Sequence, residues 1–347
     1  MKEIMKNVLE EISIGEFTDI KIGHVQDNIA MTGVTAIVFG DKAVAGVEIS
    51  GGGPASRETP LLDPKMACDN INCIVLSGGS AFGLEAGVGA AKWLEEQGIG
   101  FETGYGKVPL VCQSCIFDLS LGKQNVRPDM AMGYEACKNA IVGNAQCGNV
   151  GGGTGATVGK LMKMKQSMKS GLGIHAVKLG NLKVAAIVIV NALGDIVDFD
   201  NGEKIAGMLT LDRKEFMDIE QTAYFGALQE MNDIDNNHNE KSKKNKKERS
   251  TNTTIGAIIT NADFSKADMN KIAKMATVAY SKCIRPAATT ADGDTLYAVS
   301  TGKEKADINL VGMLSARVMG EAIKKAVELS RMDEKEYVDM CLEMGEY

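Results

Sequence analysis

The sequence predicts a mixed α/β fold, because strand-like apolar runs alternate with amphipathic helices along most of its 347 residues. One such run, NINCIVLSGG, leads into the glycine-punctuated helix SAFGLEAGVGAAKWLEEQG, which we expect to end at Gly98 in a left-handed conformation. A second run, LKVAAIVIVN, is apolar from Val184 to Val190 and stops at the polar Asn191. Both runs are typical of strands that are covered on two faces.

The last third of the chain continues the same alternation. A strand, TTIGAIIT, begins at Thr253, and the helix that follows has Ser265 and Asp268 spaced as a capping pair. One face of this helix is predicted to be buried. That face consists of Met269, Ile272, Ala273, Ala276 and Tyr280. A strand in TLYAVSTG and a helix in LVGMLSARVMGEAIKKAVEL complete the mixed pattern.

Composition and charge exclude several classes of protein. With 44% hydrophobic and 24% charged residues the chain is typical of a globular protein, and its net charge of −7 argues against general affinity for nucleic acid. The opening MKEIMKNVLEEISIGEF carries acids where a signal peptide needs an apolar core, and no apolar run approaches the roughly 18 residues that span a bilayer. We therefore expect a cytoplasmic protein with reduced thiols and no membrane partner.

Residues 231–250 interrupt the pattern. This stretch, MNDIDNNHNEKSKKNKKERS, has two apolar residues in twenty and contains the basic cluster Lys241–Arg249, so we predict a disordered linker. A threonine at the start of a strand directly after such a linker has a possible chemical meaning. Its hydroxyl can act as a nucleophile with its own α-amine as the base, provided that the preceding peptide bond is cut. The alternative is an ordinary loop between domains.

Two glycine-containing motifs resemble functional loops but fail their spacing. NVGGGTGATVGKL does not match a phosphate-binding loop, because Leu161 follows Gly159-Lys160 where Ser or Thr is required, so close backbone packing is predicted. LSGGSAFG does not match a nucleophile elbow, because Phe82 stands where glycine is required, and Ser80 is predicted to be a helix N-cap. Nothing in the sequence places His24 or His175 beside this serine as a base.

Cysteine and acidic motifs each allow a structural and a functional interpretation. Cys112 and Cys115 have C-x-x-C spacing, but no second pair lies at zinc-ligand distance, so buried thiols and no bound metal are predicted. Asp292 and Asp294 in TTADGDTLYAV can form a turn before a strand, a carboxylate pair beside a nucleophile, or both. Lys169 in SMKSGLG is unremarkable by itself.

Taken together, the motifs resemble the L-aminopeptidase/D-esterase family of self-processing hydrolases, which includes β-peptidyl aminopeptidases and nylon-oligomer hydrolases. The resemblance covers almost the whole chain from Phe17 onward. The segments that carry it, in the order of the family, are FTDIKIGHVQD, GVTAIVF, GGGPASRETPLLDP, IVLSGGSAFGLEA, WLEEQGIGF, RPDMAMGYEAC, GGGTGATVGK, MKSGLG, VIVNALGDIVD, NTTIGAIITNA and IRPAATTADGDTLYAVSTG.

This resemblance implies a four-layer αββα sandwich that is made as a precursor and cuts itself between Asn252 and Thr253. The products would be a large subunit of residues 1–252 and a small subunit of residues 253–347, which remain together as one globular domain. Thr253 matches the family's nucleophile. The other implied site residues are Lys169 and Asn191 around that nucleophile, Tyr134 and Asn191 at the oxyanion, and the pair Asp292 and Asp294.

The implied activity is hydrolysis of an amide bond after a small N-terminal residue, or of an amide, ester or oligo-amide of similar shape, without a cofactor. The partners would be a small-molecule or short-peptide substrate and further copies in a homo-oligomer of heterodimers. Two alternatives remain at this level. One is acyl transfer of the ornithine acetyltransferase type, and the other is a binding protein that retains the fold without catalysis.

Overall fold

The computed structural model describes residues 8–236, 252–330 and 332–342, which form a mixed α/β architecture. The strands are β1 Glu10–Glu11, β2 Lys21–Asp27, β3 Thr32–Ile49, β4 Ala55–Arg57, β5 Asn70–Ser77, β6 Phe101–Glu102, β7 Lys107–Val108, β8 Val111–Cys115, β9 Thr157–Val158, β10 Met168–Lys169, β11 Leu172–Leu179, β12 Leu182–Asn191, β13 Asp195–Val197, β14 Lys204–Ala206, β15 Thr253–Ala262, β16 Ile284–Arg285 and β17 Thr295–Glu304. The α-helices are α1 Ala86–Glu96, α2 Met130–Lys138, α3 Ile219–Asn236, α4 Lys266–Ala276, α5 Val278–Cys283, α6 Ile308–Glu328 and α7 Glu334–Met340. Short 3₁₀ turns span Ile14–Glu16, Thr59–Leu62, Ser80–Glu85, Gly151–Gly153 and Met164–Gln166.

A ten-stranded sheet organises the molecule, in the order β1-β11-β12-β15-β17-β3-β5-β8-β4 with β2 paired to β3. The 18-residue strand β3 links two halves of this sheet. Its first part pairs with β2 and β5, and its last part pairs with β17. The ladder to β5 shifts register between Val38 and Ala43, so β3 changes direction there and the sheet curls over itself.

Alternation of side chains along the strands creates three apolar cores between four layers. On β12 the odd-numbered Ile187 and Ile189 face a central core between the two sheet halves, whereas the even-numbered Val188 faces the helices α4, α5 and α6. On the other half, Val34 of β3 packs against α1 and α2. The layers therefore run helix, sheet, sheet, helix, and the predicted αββα sandwich is confirmed.

Most of the predicted elements are found close to their expected bounds. The runs around Val75 and Val188 form β5 and β12, and Gly98 follows α1 with a left-handed φ of +68°. Ser265 and Asp268 form a complete capping box at the start of α4. The predicted apolar face is buried, but it spans two helices, because α4 ends at Ala276 and α5 begins at Val278.

Two predictions about local structure are wrong. Helix α3 continues to Asn236, so the first six residues of the predicted disordered linker 231–250 are helical, and the rest of that linker lies outside the described residues. Extending an existing helix costs far less than nucleating one, so a polar sequence can prolong it. Ser80 is not a helix N-cap, because it adopts a left-handed φ of 54° within the 3₁₀ turn and Glu85 holds the N-cap position of α1.

The glycine-rich segment has the predicted structural role of close backbone packing. A Cβ atom on Gly152 would lie 2.5 Å from the Leu76 carbonyl oxygen, and one on Gly153 would lie 2.4 Å from the Leu172 amide nitrogen. The turn therefore lies directly against β5 and β11. Its position matters for the site, because β9 and the residues that follow it extend from this turn to the end of β12.

Candidate active site

Thr253 lies at the start of β15, directly opposite Asn191 at the end of β12. Directly paired residues of an antiparallel ladder present their side chains on the same face, so the threonine and the asparagine are neighbours. Both are buried, at 4% and 0% exposure. The family motifs predict Asn191 beside Thr253, and the register of two central strands provides this arrangement.

The peptide bond before Thr253 is held in an unusual environment. The Thr253 hydroxyl donates to the carbonyl oxygen of Asn252, with an Oγ1 to O distance of 2.5 Å. The same carbonyl oxygen accepts the Gly293 backbone N–H at 2.7 Å. A Cβ on Gly293 would lie 3.0 Å from Thr253 Oγ1 and 2.9 Å from the Gly53 carbonyl oxygen, so only glycine fits without displacement. The carbonyl is therefore polarised from one side by a backbone amide and faced by a hydroxyl.

The two predicted aspartates flank this bond on a single loop before β17. The Asp294 carboxylate accepts the Thr254 amide at 2.6 Å and the Ala288 amide at 3.0 Å. The backbone of Asp292 forms an isolated parallel β-bridge with that of Asn252. The Asp292 carboxylate accepts hydrogen bonds from both the amide and the hydroxyl of Thr289. Burial, reinforced by the charge of Asp292, raises the pKa of Asp294 to about 7. Both the turn and the carboxylate-pair interpretations describe this loop.

Asn191 is held by a network that includes a lysine with no predicted role. Its Oδ1 accepts the Lys160 ammonium at 2.8 Å and the Thr157 amide at 3.1 Å, while its Nδ2 donates to the Phe117 carbonyl at 2.9 Å. Lys160 is 5% exposed, and burial lowers its pKa to about 7 despite the opposing charges of Asp292 and Asp118. The signal in the sequence was a lysine directly after a buried glycine-rich turn, which alone does not identify a site.

Lys169 lies in the same region, where its ammonium binds backbone oxygens. Its ammonium donates to the carbonyl oxygens of Ala156, at 3.0 Å, and of Gly153 and Ser170. It pairs across β9 and β10 with Thr157, whose amide binds Asn191. Burial lowers the pKa of Lys169 to about 7. The structure thus links Lys169 to the site through Thr157 and Asn191.

Asp118 is a second residue that the sequence did not reveal. Its carboxylate accepts the Thr32 hydroxyl and the Gly79 amide, both at 2.7 Å, and burial raises its pKa to about 6. Its negative charge favours the protonated forms of Lys160 and Lys169. Asp118 therefore partly balances the two buried ammonium groups.

Tyr134 does not join this group, contrary to its expected position at the oxyanion. It lies on α2, where its hydroxyl donates to the exposed Glu96 carboxylate of α1 at 2.5 Å. That hydrogen bond raises the pKa of Tyr134. Helix α2 packs on the outer face of the sheet half that contains β2 and β3. Tyr134 therefore lies in a helix layer, whereas Thr253 lies in the sheet.

The remaining candidate side chains serve structural roles. His24 Nδ1 lies 3.0 Å from Thr35 Oγ1, and burial lowers the pKa of His24 to about 4. His175 lies on β11, where its Nδ1 is 3.3 Å from Glu11 Oε1. Cys112 and Cys115 are buried in β8, where burial raises the pKa of both thiols to about 12. The predicted buried thiols are therefore present.

Within residues 8–236, 252–330 and 332–342 no three side chains of the metal-binding types are grouped to hold an ion. Among the helices of those same ranges, none is both long and apolar enough to cross a membrane.

The αββα sandwich is the layer order of the Ntn hydrolase fold. The chain belongs to peptidase family S58, whose profile matches residues 12–333. It is accordingly a hydrolase of peptide or amide bonds. An uncharacterized aminopeptidase of Mycobacterium leprae is 35% identical over 313 residues, covering 85% of this chain and 80% of that protein.

The chain is also similar to a more distant sequence relative and, in fold, to two solved structures. A 6-aminohexanoate-oligomer endohydrolase of Kocuria sp. is 27% identical over 329 residues, covering 90% of this chain and 85% of its own. The L-aminopeptidase D-Ala-esterase/amidase of Ochrobactrum anthropi, described as a variant of the Ntn hydrolase fold, superimposes with a TM-score of 0.62 at 16% identity, covering 92% of this chain and 85% of that chain. A β-aminopeptidase of Burkholderia sp. gives a TM-score of 0.60 at 17% identity, covering 90% and 85%.

Proposed function

We propose that the chain is a self-cleaving amidohydrolase that cuts its own Asn252–Thr253 bond and then uses Thr253 as an N-terminal nucleophile. The observation that carries this proposal is the environment of the Asn252 carbonyl. Its oxygen lies 2.5 Å from Thr253 Oγ1 and 2.7 Å from the Gly293 amide nitrogen. A hydroxyl and a backbone N–H therefore lie beside one peptide bond, which supports attack by the hydroxyl and stabilisation of the oxyanion by the N–H.

In the self-cleavage step, Thr253 Oγ1 attacks the Asn252 carbonyl carbon and the oxygen acquires negative charge. The Gly293 N–H stabilises that charge, and a single donor of this kind typically lowers the barrier by about 3 kcal/mol. The C–N bond then breaks, and the hydroxyl proton ends on the Thr253 nitrogen. Water hydrolyses the resulting ester, which releases the Asn252 carboxylate and leaves Thr253 with a free hydroxyl and α-amine.

In the mature enzyme the α-amine of Thr253 would take the proton of its own hydroxyl as that oxygen attacks a substrate amide. An α-amine titrates near pH 8 without special tuning, which suits a base at neutral pH. The Asp294 carboxylate accepts the adjacent Thr254 amide at 2.6 Å, so it holds the first residues of β15 in register with the site. Asn191 would donate to the substrate oxyanion. Tyr134 has no part in this proposal.

The test is denaturing electrophoresis of the purified chain followed by N-terminal sequencing. We expect two bands, with the smaller beginning at Thr253, and one intact band for Thr253→Ala. Thr260→Ala is a matched control, since Thr260 is also buried in β15, and it should be cut normally. An intact wild-type chain, or a cut at another bond, would contradict the proposal.

We propose substrates with an amide bond after a small N-terminal residue, and short oligo-amides, in line with the names of the relatives described above. A panel of amino-acid p-nitroanilides, amides, β-peptides and D-amino-acid esters tests this range. Hydrolysis of at least one class by the cut chain, and none by Thr253→Ala, is expected. If an added amine acceptor captures the acyl group faster than water does, the enzyme is a transferase instead.

A further inference from the structure

The turn in LSGGSAFG, which joins β5 to α1, has no role in the proposed reaction. Its backbone is constrained, because Gly79 and Ser80 both adopt left-handed φ values, of +81° and +54°. This conformation is unfavourable for a residue with a Cβ atom, and it persists at Ser80 only because the surroundings fix the backbone there. Strained positions of this kind are often found at binding sites. The contacts of the turn therefore indicate what it could bind.

Hydrogen bonds fix this turn beside the candidate active site. The Ser80 and Gly79 amides donate to the segment Ile116–Asp118, at 2.9 Å to the first carbonyl oxygen and at 2.7 Å to the last carboxylate. The middle residue of that segment accepts the Asn191 side-chain amide at 2.9 Å through its carbonyl oxygen, and Asn191 lies opposite Thr253. Three consecutive residues therefore link the turn to the neighbour of the proposed nucleophile.

The turn carries an exposed aromatic ring with a guanidinium group over it. Phe82 is 62% exposed, and Arg127 Cζ lies 3.9 Å from the centroid of its ring. The residue after the arginine, Pro128, lies against the same turn, because a Cβ on Gly79 would be 2.8 Å from Pro128 Cδ. Both members of the stacked pair are therefore attached to a backbone that the active-site segment holds in place.

Stacking occupies the face of the Arg127 guanidinium and leaves the N–H groups at its edge available. Arg127 is half-buried, and within the described part of the chain it forms neither an ion pair nor a side-chain hydrogen bond. Arg317 differs, since its guanidinium lies 5.6 Å from the centroid of an aromatic ring, that of Phe199, but also forms ion pairs with two carboxylates. An open guanidinium edge is suited to bidentate binding of a carboxylate.

We propose that Arg127, held by Phe82, binds a free carboxylate at the C-terminal end of the substrate. An extended chain spans about 3.5 Å per residue, so a carboxylate one to three residues beyond the scissile bond can reach a group on this neighbouring turn. The preferred substrates are then short peptides or oligo-amides that end in a carboxylate. This inference rests on the proposed function and narrows its substrate class; Arg127 determines specificity and takes no part in breaking the bond.

The test uses probes built on the N-terminal residue that the substrate panel identifies. That residue is coupled to glycine or to diglycine, each as the free acid and as the C-terminal amide, and kcat/KM of the cut enzyme is measured for release of the N-terminal residue. We expect the acid to exceed the amide on the order of 10-fold at one of the two lengths, mainly through a lower KM, since hydrogen bonds to charged groups are the stronger ones.

Three variants assign this preference to the stacked pair. Arg127→Met should bring the acid-to-amide ratio to about 1, and Arg127→Lys should restore part of it, because lysine keeps the charge but not the planar fork. Phe82→Leu should also lower the ratio, because the ring that holds the guanidinium is lost. Arg317→Met is the matched control, since it removes a guanidinium beside a ring elsewhere in the molecule, and it should keep the wild-type ratio.

The outcomes separate this inference from the proposed function. Equal kcat/KM values for acid and amide at both lengths in the wild type would overturn the inference without any variant. An equal loss on acid and amide in Arg127→Met leaves the ratio unchanged, which would mean that Arg127 only packs on Phe82. If Arg127→Met does not fold, as judged by its melting curve, Arg127→Lys and Phe82→Leu decide. A chain that is not cut, or that hydrolyses nothing in the panel, refutes the proposed function itself.

Discussion

Four of the ionisable side chains that are buried near Thr253 have pKa values that burial moves toward neutrality. The pKa of Asp118 is raised to about 6 and that of Asp294 to about 7, while those of Lys160 and Lys169 are lowered to about 7. The cause is the same in each case, because a low-dielectric surrounding disfavours the charged form of acid and base alike. The charge of this region therefore changes near physiological pH.

Asp294→Asn tests this electrostatic description through the pH dependence of stability. The folded-state pKa of Asp294, about 7, lies above its ordinary value of 3.8, so the folded protein binds this proton more tightly. The contribution of Asp294 to the unfolding free energy therefore falls as pH rises from about 4 to about 7, with a limiting slope of about 1.4 kcal/mol per pH unit. Asparagine removes that slope, so the melting temperature of the variant relative to the parent should rise with pH.

The measurement is thermal unfolding between pH 5 and 8 on the Thr253→Ala background, where a single chain unfolds. Asp198→Asn is the control, because the hydrogen bond from Lys324 lowers the pKa of Asp198 to about 2 and its titration lies below this range. The control difference should be independent of pH from 5 to 8. An equally flat difference for Asp294→Asn would contradict the assigned shift.

At the scale of the elements, glycines set how closely helices approach the curled sheet. A Cβ on Gly173 of β11 would lie 1.9 Å from the Ala322 carbonyl oxygen of α6, and one on Gly46 of β3 would lie 2.2 Å from the Asn270 amide nitrogen of α4. These are contacts with backbone, which cannot move aside as a side-chain end can. The helix layer therefore depends on the absence of side chains at these positions.

Gly173→Ala should destabilise the fold by at least about 2 kcal/mol, because α6 must move away from β11 to accept the methyl group. Gly226 provides the control, since it lies in α3 and a Cβ there meets nothing within 4 Å. Gly226→Ala should be neutral or stabilise by up to about 1 kcal/mol through helix propensity. Urea unfolding on the Thr253→Ala background measures both, and equal effects of the two changes would refute this account.

At the scale of the whole molecule, the strands on either side of Thr253 are interleaved. Strands β15 and β17, which follow Thr253, lie between β12 and β3, which precede it. The central core contains Ile187 from one part of the chain and Ile255 and Val299 from the other. The two predicted subunits would therefore share one sheet and one core, and neither has a complete core by itself.

After cleavage, the fragments 1–252 and 253–347 should elute together in native gel filtration and separate only in denaturant. The physical reason is that separation would expose both edges of a central strand pair and the apolar core around them. Matched elution of the cut wild type and of uncut Thr253→Ala is the expected result. Two separate peaks for the wild type under native conditions would show that the sheet is not shared as the topology implies.

Much of the fold was predictable from local patterns. The apolar run Val184–Val190 identified a strand covered on both faces, Gly98 marked a helix end, and Ser265 with Asp268 marked a helix start. These features depend on neighbours within a few residues. The bound of α3 was not predictable in the same way, because the stabilised part of that helix extended into a polar sequence.

The site residues likewise include some that the sequence predicts and some that only the structure reveals. Asn252, Thr253, Asp292 and Asp294 occur in recognisable motifs, and the structure brings them together with Asn191; their catalytic roles stay predictions. Lys160 and Asp118 were missed, because Lys160 binds Asn191 across 31 residues of sequence and Asp118 binds Thr32 across 86. Tyr134 was assigned to the site from its motif, yet the packing of α1 against α2 gives its hydroxyl to Glu96.

The sequence by itself determined the alternation of strands and helices, the family, and the threonine that begins a strand after a polar stretch, because these follow from side-chain periodicity and short motifs. Only the tertiary structure decided which buried charges lie near that threonine and which side chains bind Asn191. Those partners meet through the curl of the sheet and the register of β12 with β15, and their pKa values follow from burial, which a local sequence pattern does not specify.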